Sequence, residues 1–294
     1  MSISIIGAGK WGSALHFAFS QKSTCKITSR NKKEIKNFVG LDVALGSEYL
    51  VFALPAQVVS DWLEKNFTFG GQKVLVAAKG IEQKNGKFLN DVFSQFMPQE
   101  NLSFLSGPSF ASEVMQSLPT AVVINSINPK LSREFSSFFP DFMKAYTSSD
   151  VIGAEICGAY KNVLAIASGI SSGLKLGNNA RASLISRGLV EMSRFGRYFG
   201  GVDETFLGLS GAGDLFLTAS SELSRNYRVG LCLAKNMKLE DILEELGEVA
   251  EGVFTASAIV DLSAKNDIYT PIAKEVQKIL EGKNPKDSLR DLLE

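Results

Sequence analysis

The sequence predicts an α/β protein, with a doubly wound sheet in its first half and an all-helical second half. Three observations support this prediction. Apolar strand-like segments alternate with helical patterns at first, strand patterns stop beyond about Asp150, and a glycine-rich turn follows the first strand. Such alternation is typical of a mainly parallel sheet with helices on both faces. We therefore expect domains at 1–149 and 150–294.

The first domain has seven segments with the length and composition of strands. They are 2–7, 25–29, 48–54, 73–78, 102–107, 120–125 and 142–147. Helices are expected between them near 11–20, 31–38, 56–65, 86–97, 109–117 and 130–138. Doubly wound sheets bind ligands at the carboxyl ends of their strands. The residues that follow each strand are therefore the first candidates for a site.

The second domain has only helical patterns. Helices are expected at 151–172, 180–199, 204–221, 225–236, 239–246, 252–265, 271–281 and 286–293. Pro271 and Pro285 suit helix starts and Gly282 suits a helix end. No internal repeat or low-complexity tract separates the two halves.

Composition excludes several classes of function. The 294 residues include 31 basic and 31 acidic side chains, so nothing favours nucleic acid, and small molecules are the expected partners. Cys25, Cys157 and Cys232 are widely spaced, which disfavours disulfides and a metal site and fits a reducing cytoplasm. The first residues lack the pattern of a signal peptide. No apolar run reaches the ~20 residues of a membrane span.

A single histidine limits the chemistry further. His16 lies inside the first predicted helix, where a structural role is expected, so hydrolysis by a Ser-His-Asp or Cys-His arrangement is disfavoured.

The glycine-rich turn predicts dinucleotide binding. Gly7, Gly9 and Gly12 form a G-x-G-x-x-G pattern between the first strand and the first helix, the context of a Rossmann-like fold. There the glycines allow a tight turn and close approach of a pyrophosphate to the positive end of the helix. A glycine turn packed in a core is the alternative interpretation.

The end of the second strand bears on the choice of cofactor. The segment "TSRNKK" has Arg30, with Lys32 or Lys33 nearby, where an NAD-selective fold usually has Asp or Glu. These cations favour the 2′-phosphate of NADP. A solvated basic turn would explain the same residues, and use of both cofactors stays open.

Further candidates for anion and substrate binding follow other strands and helices. Lys79 follows the fourth strand, and Gly107, Pro108 and Ser109 follow the fifth, where a helix is expected to begin near Pro108. In the helical half, glycines and apolar residues surround Asp214. The last candidates share the start of one helix, which Ser224 is expected to cap; they are Ser224, Arg225 and Asn226.

Lys161 is the leading candidate for the proton donor of a dehydrogenase. It lies in the nearly uncharged helix 151–172, where no carboxylate one turn away can pair with it. The chain offers no available histidine and no Tyr-x-x-x-Lys pair for this role. A dry setting would lower the pKa of this lysine. A lysine that extends to the surface is the alternative.

Ordered blocks over nearly the whole chain resemble the bacterial NAD(P)-dependent glycerol-3-phosphate dehydrogenases. The blocks are "GAGKWGSAL", "AAKGIE", "SGPSFASEV", the specific segment Gly158 to Gly196, "GLSGAGDLFLT", "SRNYRVG" and "EVAEGVFTA". The resemblance implies a cytoplasmic enzyme that interconverts dihydroxyacetone phosphate and sn-glycerol 3-phosphate with NAD(P)H. It also implies a role in phospholipid synthesis and a homodimer.

The resemblance also implies roles for individual residues. Lys161 is the proton donor and acceptor at the C2 oxygen, and Asp214 accompanies it. Residues around the substrate are Lys79, Gly107, Ser109, Asp214, Ser224, Arg225 and Asn226. Residues at cofactor positions, besides the three glycines, are Lys10, Trp11, Arg30, Lys79, Ala111, Arg225, Val249 and Glu251.

The chain departs from the family pattern in three places. Lys10 replaces a more usual serine, and Tyr160 replaces a small apolar residue before Lys161. The segment between Arg30 and Glu48 is short and lacks a Tyr-Leu-Pro segment. The departures leave the catalytic blocks intact but weaken inferences about subunit contacts.

Two other functions stay open on the residues alone. One is a β-hydroxyacid dehydrogenase or ketopantoate-type reductase, which typically has Lys-x-x-x-Asn, whereas Ala165 stands four residues after Lys161 here. The other is a noncatalytic module that senses NADP and presents its second domain to a protein partner.

Overall fold

The computed structural model describes residues 2–84, 86–247 and 250–288. These residues form two compact units. The first consists of residues 2–79 and 89–151, and the second consists of the described residues of 80–88 and 152–288. The short segment 80–88 thus belongs to the second unit, although the sequence prediction placed it within the domain 1–149.

A seven-stranded sheet forms the centre of the first unit. Its strands are β1 (Ile3–Ile6), β2 (Cys25–Thr28), β3 (Tyr49–Phe52), β4 (Lys73–Val76), β7 (Leu102–Ser106), β8 (Thr120–Asn125) and β9 (Met143–Ser148). Their order is β2-β1-β3-β4-β7-β8-β9, and only β7 and β8 pair antiparallel. All seven predicted strands are present.

Helices cover this sheet. They are α1 (Lys10–Phe19), α2 (Leu41–Leu45), α3 (Val59–Asn66), α4 (Leu89–Phe93), α5 (Ala111–Val114) and α6 (Pro129–Ser136). The strand order reverses between β1 and β3, so the switch point, where doubly wound sheets bind ligands, lies at the glycine turn after β1.

Alternate side chains of the strands enter two separate apolar layers. In β3, Tyr49 and Val51 pack into one cluster, whereas Leu50 and Phe52 pack into the other. This alternation follows from the two-residue period of a strand. Because both of their faces are buried, the central strands β1, β3, β4 and β7 are mostly apolar, as expected inside a doubly wound sheet, whereas the edge strand β9 has exposed polar residues.

His16 belongs to the framework of the first unit. Its Nε2 atom lies 3.0 Å from the carbonyl oxygen of Cys25, which ties α1 to β2. Only 5% of the residue is exposed, and this burial lowers its pKa.

The predicted helix 31–38 is wrong. After β2 the chain forms an irregular loop that returns to the outer edge of the sheet, where Ile27 and Phe38 form a parallel bridge. The predicted range 31–38, "NKKEIKNF", has only two apolar residues, Ile35 and Phe38, which are too few for an apolar face that could hold a helix against the sheet. The short helix α2 follows instead.

Two other predicted helices are shorter than expected. The expected helix 86–97 gives a strand, β6 (Lys87–Phe88), followed by α4. β6 pairs antiparallel with β5 (Ile81–Glu82), which forms a ribbon that belongs to the second unit. The helix predicted at 109–117 is reduced to α5.

The second unit is helical apart from that ribbon. Its helices are α7 (Val151–Gly173), α8 (Gly177–Tyr198), α9 (Asp203–Leu207), α10 (Asp214–Ala219), α11 (Arg225–Leu233), α12 (Leu239–Leu246), α13 (Glu251–Lys265) and α14 (Pro271–Leu280). Of the predicted helix 286–293, residues 286–288 are helical and the rest lies outside the described residues. The predicted fold class is confirmed.

The helix α7 is the centre of the second unit. It is long and apolar enough to cross a membrane by length and composition, but 89% of its most apolar window is buried inside the structure. Two glycines allow α11 to approach it closely. A Cβ on Gly169 would lie 2.1 Å from the carbonyl oxygen of Tyr227, and one on Gly230 would lie 2.1 Å from that of Ile166. α7 is therefore a core helix.

A buried carboxylate joins three helices of this unit. Glu191 of α8 accepts hydrogen bonds from the hydroxyl of Tyr160 on α7 at 2.8 Å and from the backbone N–H groups of Ile272 and Ala273 at 2.9 Å. It thereby caps α14, whose N-cap residue Thr270 makes no side-chain cap. Burial raises the pKa of Glu191, although these donors oppose the shift.

We predict that Glu275 makes the second unit sensitive to acid. Burial alone would raise its pKa, but hydrogen bonds from Lys278 and Lys283 outweigh burial and lower this pKa to about 2. Because the pKa of Glu275 is lower in the folded state than in the unfolded state, its carboxylate stabilises the fold at pH values above its unfolded-state pKa. This stability is lost as the pH falls towards 2. The advantage of wild type over Glu275→Gln in unfolding free energy should shrink by up to about 3 kcal/mol between about pH 5 and pH 2.

Denaturant unfolding of both proteins at constant ionic strength measures this difference. A difference that stays constant over the whole pH range would contradict the prediction.

Candidate active site

The glycine turn between β1 and α1 has the geometry that dinucleotide binding requires. Gly7 has a φ of +109°, which favours glycine, and a Cβ on Gly12 would lie 1.8 Å from the carbonyl oxygen of Gly7. Gly9 is the N-cap of α1, and a Cβ there would meet nothing within 4 Å. The turn thus leaves open space beside the positive end of α1, so these residues fit a pyrophosphate.

Basic side chains lie near this turn. Lys10 and Arg30 are exposed, and Trp11 is half-buried in the first turn of α1. The ammonium group of Lys33 donates a hydrogen bond to the carbonyl oxygen of Ala8, within the glycine turn, at 2.5 Å. The loop after β2 therefore brings positive charge to the dinucleotide site.

A second group of predicted residues meets at one carbonyl oxygen of the first unit. Both the Lys79 ammonium and the Ser109 hydroxyl donate to the carbonyl oxygen of Gly107 at 3.2 Å. Gly107 has a φ of +100° and follows β7 directly. The expected helix start near Pro108 is wrong, because α5 begins at Ala111.

Lys161 forms an ion pair in the interior of the second unit. Its ammonium nitrogen lies 2.5 Å from Oδ1 of Asp214 and 3.2 Å from the hydroxyl oxygen of Thr218. The Thr218 hydroxyl also contacts this carboxylate oxygen at 3.3 Å. Lys161 is 8% exposed and Asp214 1%. The partner carboxylate, which α7 does not provide one turn from Lys161, therefore comes from α10.

The glycine-rich turn before α10 explains how Asp214 reaches this position. Residues Leu209–Gly213 form one π-helical turn, and a Cβ on Gly211 would lie 2.1 Å from the carbonyl oxygen of Phe206. Only glycine fits so close to another backbone. Asp214 then begins α10, where the positive end of the helix favours a carboxylate.

The start of α11 has the predicted cap. The Ser224 hydroxyl accepts a hydrogen bond from the backbone N–H of Tyr227 at 3.2 Å, and Arg225 is exposed in the first turn. The Asn226 amide donates to Oδ1 of Asn162 at 2.9 Å and accepts from the backbone N–H of Gly252 at 3.0 Å. These bonds connect α7, α11 and α13 beside Lys161.

In the second unit the structure joins the predicted residues Lys161 and Asp214. Two residues that were not predicted also contact predicted ones: Thr218 contacts Lys161, and Asn162 contacts Asn226. Thr218 could have been found from its position four residues after Asp214, on the same helix face. Of the predicted cofactor residues, Glu251 begins α13, whereas Val249 lies outside the described residues.

The geometry of the two units defines a class of protein. The first unit is a doubly wound sheet with a glycine turn that fits a dinucleotide, and the second is helical with a buried lysine and aspartate. This combination is that of a dinucleotide-dependent oxidoreductase with a helical second domain.

Comparison with known proteins identifies the family. Models of the N-terminus and the C-terminus of NAD-dependent glycerol-3-phosphate dehydrogenase match residues 40–132 and 150–290 respectively. The chain therefore belongs to the NAD-dependent glycerol-3-phosphate dehydrogenase family, and the resemblance inferred from its motifs is confirmed.

Individual relatives agree with this assignment. A glycerol-3-phosphate dehydrogenase [NAD(P)+] from Nitratiruptor sp. is 62% identical over 100% of this chain and 98% of its own. One from Sulfurimonas denitrificans is 61% identical over 99% and 98% respectively. The crystal structure of a glycerol-3-phosphate dehydrogenase from Coxiella burnetii is 33% identical, with a TM-score of 0.92 over 100% of this chain and 98% of that one.

We predict that removing one partner of the buried ion pair destabilises the fold much more than replacing both partners. Asp214→Ala should lower the unfolding free energy by about 3–5 kcal/mol, because it leaves the ammonium of Lys161 buried without its carboxylate. The double variant Lys161→Met with Asp214→Leu should recover much of that loss. Chemical denaturation followed by circular dichroism measures both.

The matched control is Asp203→Ala, which removes the carboxylate of an exposed ion pair with Arg197. This change should cost about 1 kcal/mol or less. Equal costs for Asp214→Ala and Asp203→Ala would show that the Lys161 pair is effectively solvated.

Proposed function

We propose that this protein catalyses the interconversion of dihydroxyacetone phosphate and sn-glycerol 3-phosphate with NADPH or NADH, with NADPH favoured. The observation that carries the proposal is the buried pair of Lys161 and Asp214, within a chain that matches this family over nearly its whole length. Relatives with this name use NAD(P)+.

Reduction of the substrate ketone needs a hydride at C2 and a proton at the C2 oxygen. A reduced nicotinamide, when bound, would supply the hydride. Lys161 supplies the proton to the C2 oxygen, and it takes this proton back in the reverse reaction. An ammonium at this oxygen also stabilises the negative charge that develops there.

Asp214 and Thr218 position the proton donor. Both contact the ammonium nitrogen of Lys161, so its side chain is held in one orientation by groups from a single helix, α10. A lysine that is already oriented loses little freedom when the substrate binds. Asp214 thus acts through Lys161. Its carboxylate is also able to accept a hydrogen bond from a substrate hydroxyl.

Anionic groups are bound by cations and helix starts in each unit. In the second unit, Ser224, Arg225 and Asn226 at the start of α11 bind the substrate phosphate. The residues of the first unit that would hold the dinucleotide are Gly7, Gly9, Lys10, Trp11, Gly12, Arg30, Lys79 and Ala111. Those of the second unit are Arg225, Val249 and Glu251. The substrate would in addition contact Lys79, Gly107 and Ser109, so Lys79 would serve both ligands.

The wider role follows from the family. We propose a cytoplasmic homodimer in which residues 1–149 bind the dinucleotide and residues 150–294 bind the substrate. Its product, glycerol 3-phosphate, supplies phospholipid synthesis. Size-exclusion chromatography with light scattering tests the dimer.

Two alternatives make different predictions for one assay. A ketopantoate-type reductase would oxidise NADPH with a 2-oxo acid that lacks phosphate, and a noncatalytic sensor would bind NADPH without oxidising it. Ala165, at the place where those reductases typically have asparagine, favours the phosphorylated triose. Following NADPH absorbance with each substrate distinguishes the three functions.

We predict that Lys161→Met lowers kcat by about 100-fold or more, because general acid catalysis contributes about 10²–10⁴-fold. The affinity for NADPH should change little, since Lys161 serves the C2 oxygen of the substrate, whereas the dinucleotide binds at the glycine turn. Steady-state rates and NADPH fluorescence titrations measure the two effects.

Because the unpaired Asp214 could destabilise the variant, the double variant Lys161→Met with Asp214→Leu serves as a second test. Its kcat should be as low as that of Lys161→Met, whereas its unfolding free energy should be closer to that of wild type. A kcat near that of wild type in either variant would refute the role of Lys161.

A further inference from the structure

The loop between β2 and α2 follows directly from β2 and is hydrogen-bonded back to the same strand at its other end. The backbone N–H of Ile27 donates to the carbonyl oxygen of Asn37, and that of Val39 donates to the carbonyl oxygen of Ile27. At its start, the Ser29 hydroxyl donates to the carbonyl oxygen of Asn31 at 2.7 Å. The exposed residues between these points therefore form a tethered loop in place of the predicted helix.

Lys33 reaches from this loop to the glycine turn. Its ammonium nitrogen lies 2.5 Å from the carbonyl oxygen of Ala8, which stands between Gly7 and Gly9. An ammonium group has three N–H donors, and this bond uses one. The contact therefore holds a positive charge against the dinucleotide site and leaves the same group able to bind a second oxygen atom.

The charge of the loop distinguishes the two possible cofactors. Residues 30–36 contain four cations, Arg30, Lys32, Lys33 and Lys36, and one anion, Glu34. A phosphate monoester carries about −1.5 to −2 charges near neutral pH, whereas a ribose hydroxyl carries none. The side chains directly after Ile27 are Thr28, Ser29 and Arg30, so no carboxylate ends this strand to accept a hydrogen bond from a 2′-hydroxyl.

We propose that Lys33, held at the Ala8 carbonyl by the tethered loop, binds the 2′-phosphate and is the main residue that selects NADPH over NADH. This inference rests on the proposed function, since it concerns the cofactor of that reaction. It changes the sequence prediction, which assigned the same task chiefly to Arg30. Arg30 and Lys33 are both exposed residues of this loop, but the Lys33 ammonium donates a hydrogen bond to the glycine turn.

The test compares Lys33→Met with wild type by fluorescence titration with NADPH and with NADH. The variant should bind NADPH about tenfold more weakly, because it loses a charge-assisted contact, and it should bind NADH within about twofold of wild type. Lys33→Arg should restore most of the NADPH affinity, since it restores the charge. Adenosine 2′,5′-bisphosphate should lose affinity in parallel with NADPH, which shows the effect without turnover.

Lys36→Met is the matched control, because it removes one exposed charge from the same loop. Its ratio of NADPH to NADH affinity should stay near that of wild type. The proposal is overturned if Lys33→Met keeps the wild-type ratio, or if Arg30→Met abolishes the preference while Lys33→Met does not. Failure of wild type to bind either dinucleotide would instead overturn the proposed function itself.

Discussion

The ion pair between Lys161 and Asp214 is the interaction on which the second unit depends. Both groups lose hydration inside the protein, and each compensates the other only at short distance. Their 2.5 Å separation therefore constrains everything that positions them. α7 must present its lysine towards α10, and α10 must begin at the aspartate.

The constraint explains why so many polar contacts surround one apolar helix. Tyr160, directly before the lysine, is fixed by Glu191 of α8. Asn162, directly after it, is fixed by Asn226 of α11. Successive residues of a helix point about 100° apart, so these three neighbours face three different helices. Ser168, further along α7, donates to the carbonyl oxygen of Ala219 at the end of α10. The rotation of α7 is thereby fixed along much of its length.

Much of this arrangement could be predicted from the sequence, for local reasons. The strands, the glycine turn and the Ser224 cap depend on residues close together in the chain. The carboxylate that pairs with Lys161 could not be assigned by helical spacing, because it is 53 residues away. The segment 31–38 was predicted as a helix because helical patterns alternate with strands in this half of the chain, and Lys and Glu, which make up four of its eight residues, are good helix formers. Its two apolar side chains were too few to hold a helix against the sheet, and Phe38 forms a bridge with Ile27 of β2 instead.

The ribbon of β5 and β6 means that the second unit is not a continuous piece of chain. Ile81 and Phe88 belong to its apolar core, and the Phe88 ring lies 5.4 Å from that of Phe199. Ribosomal synthesis delivers these two side chains well before the helices that receive them. A fragment cut at the end of the sheet would lack them, and a chimaera that exchanges the helical half between relatives would have to exchange this ribbon with it.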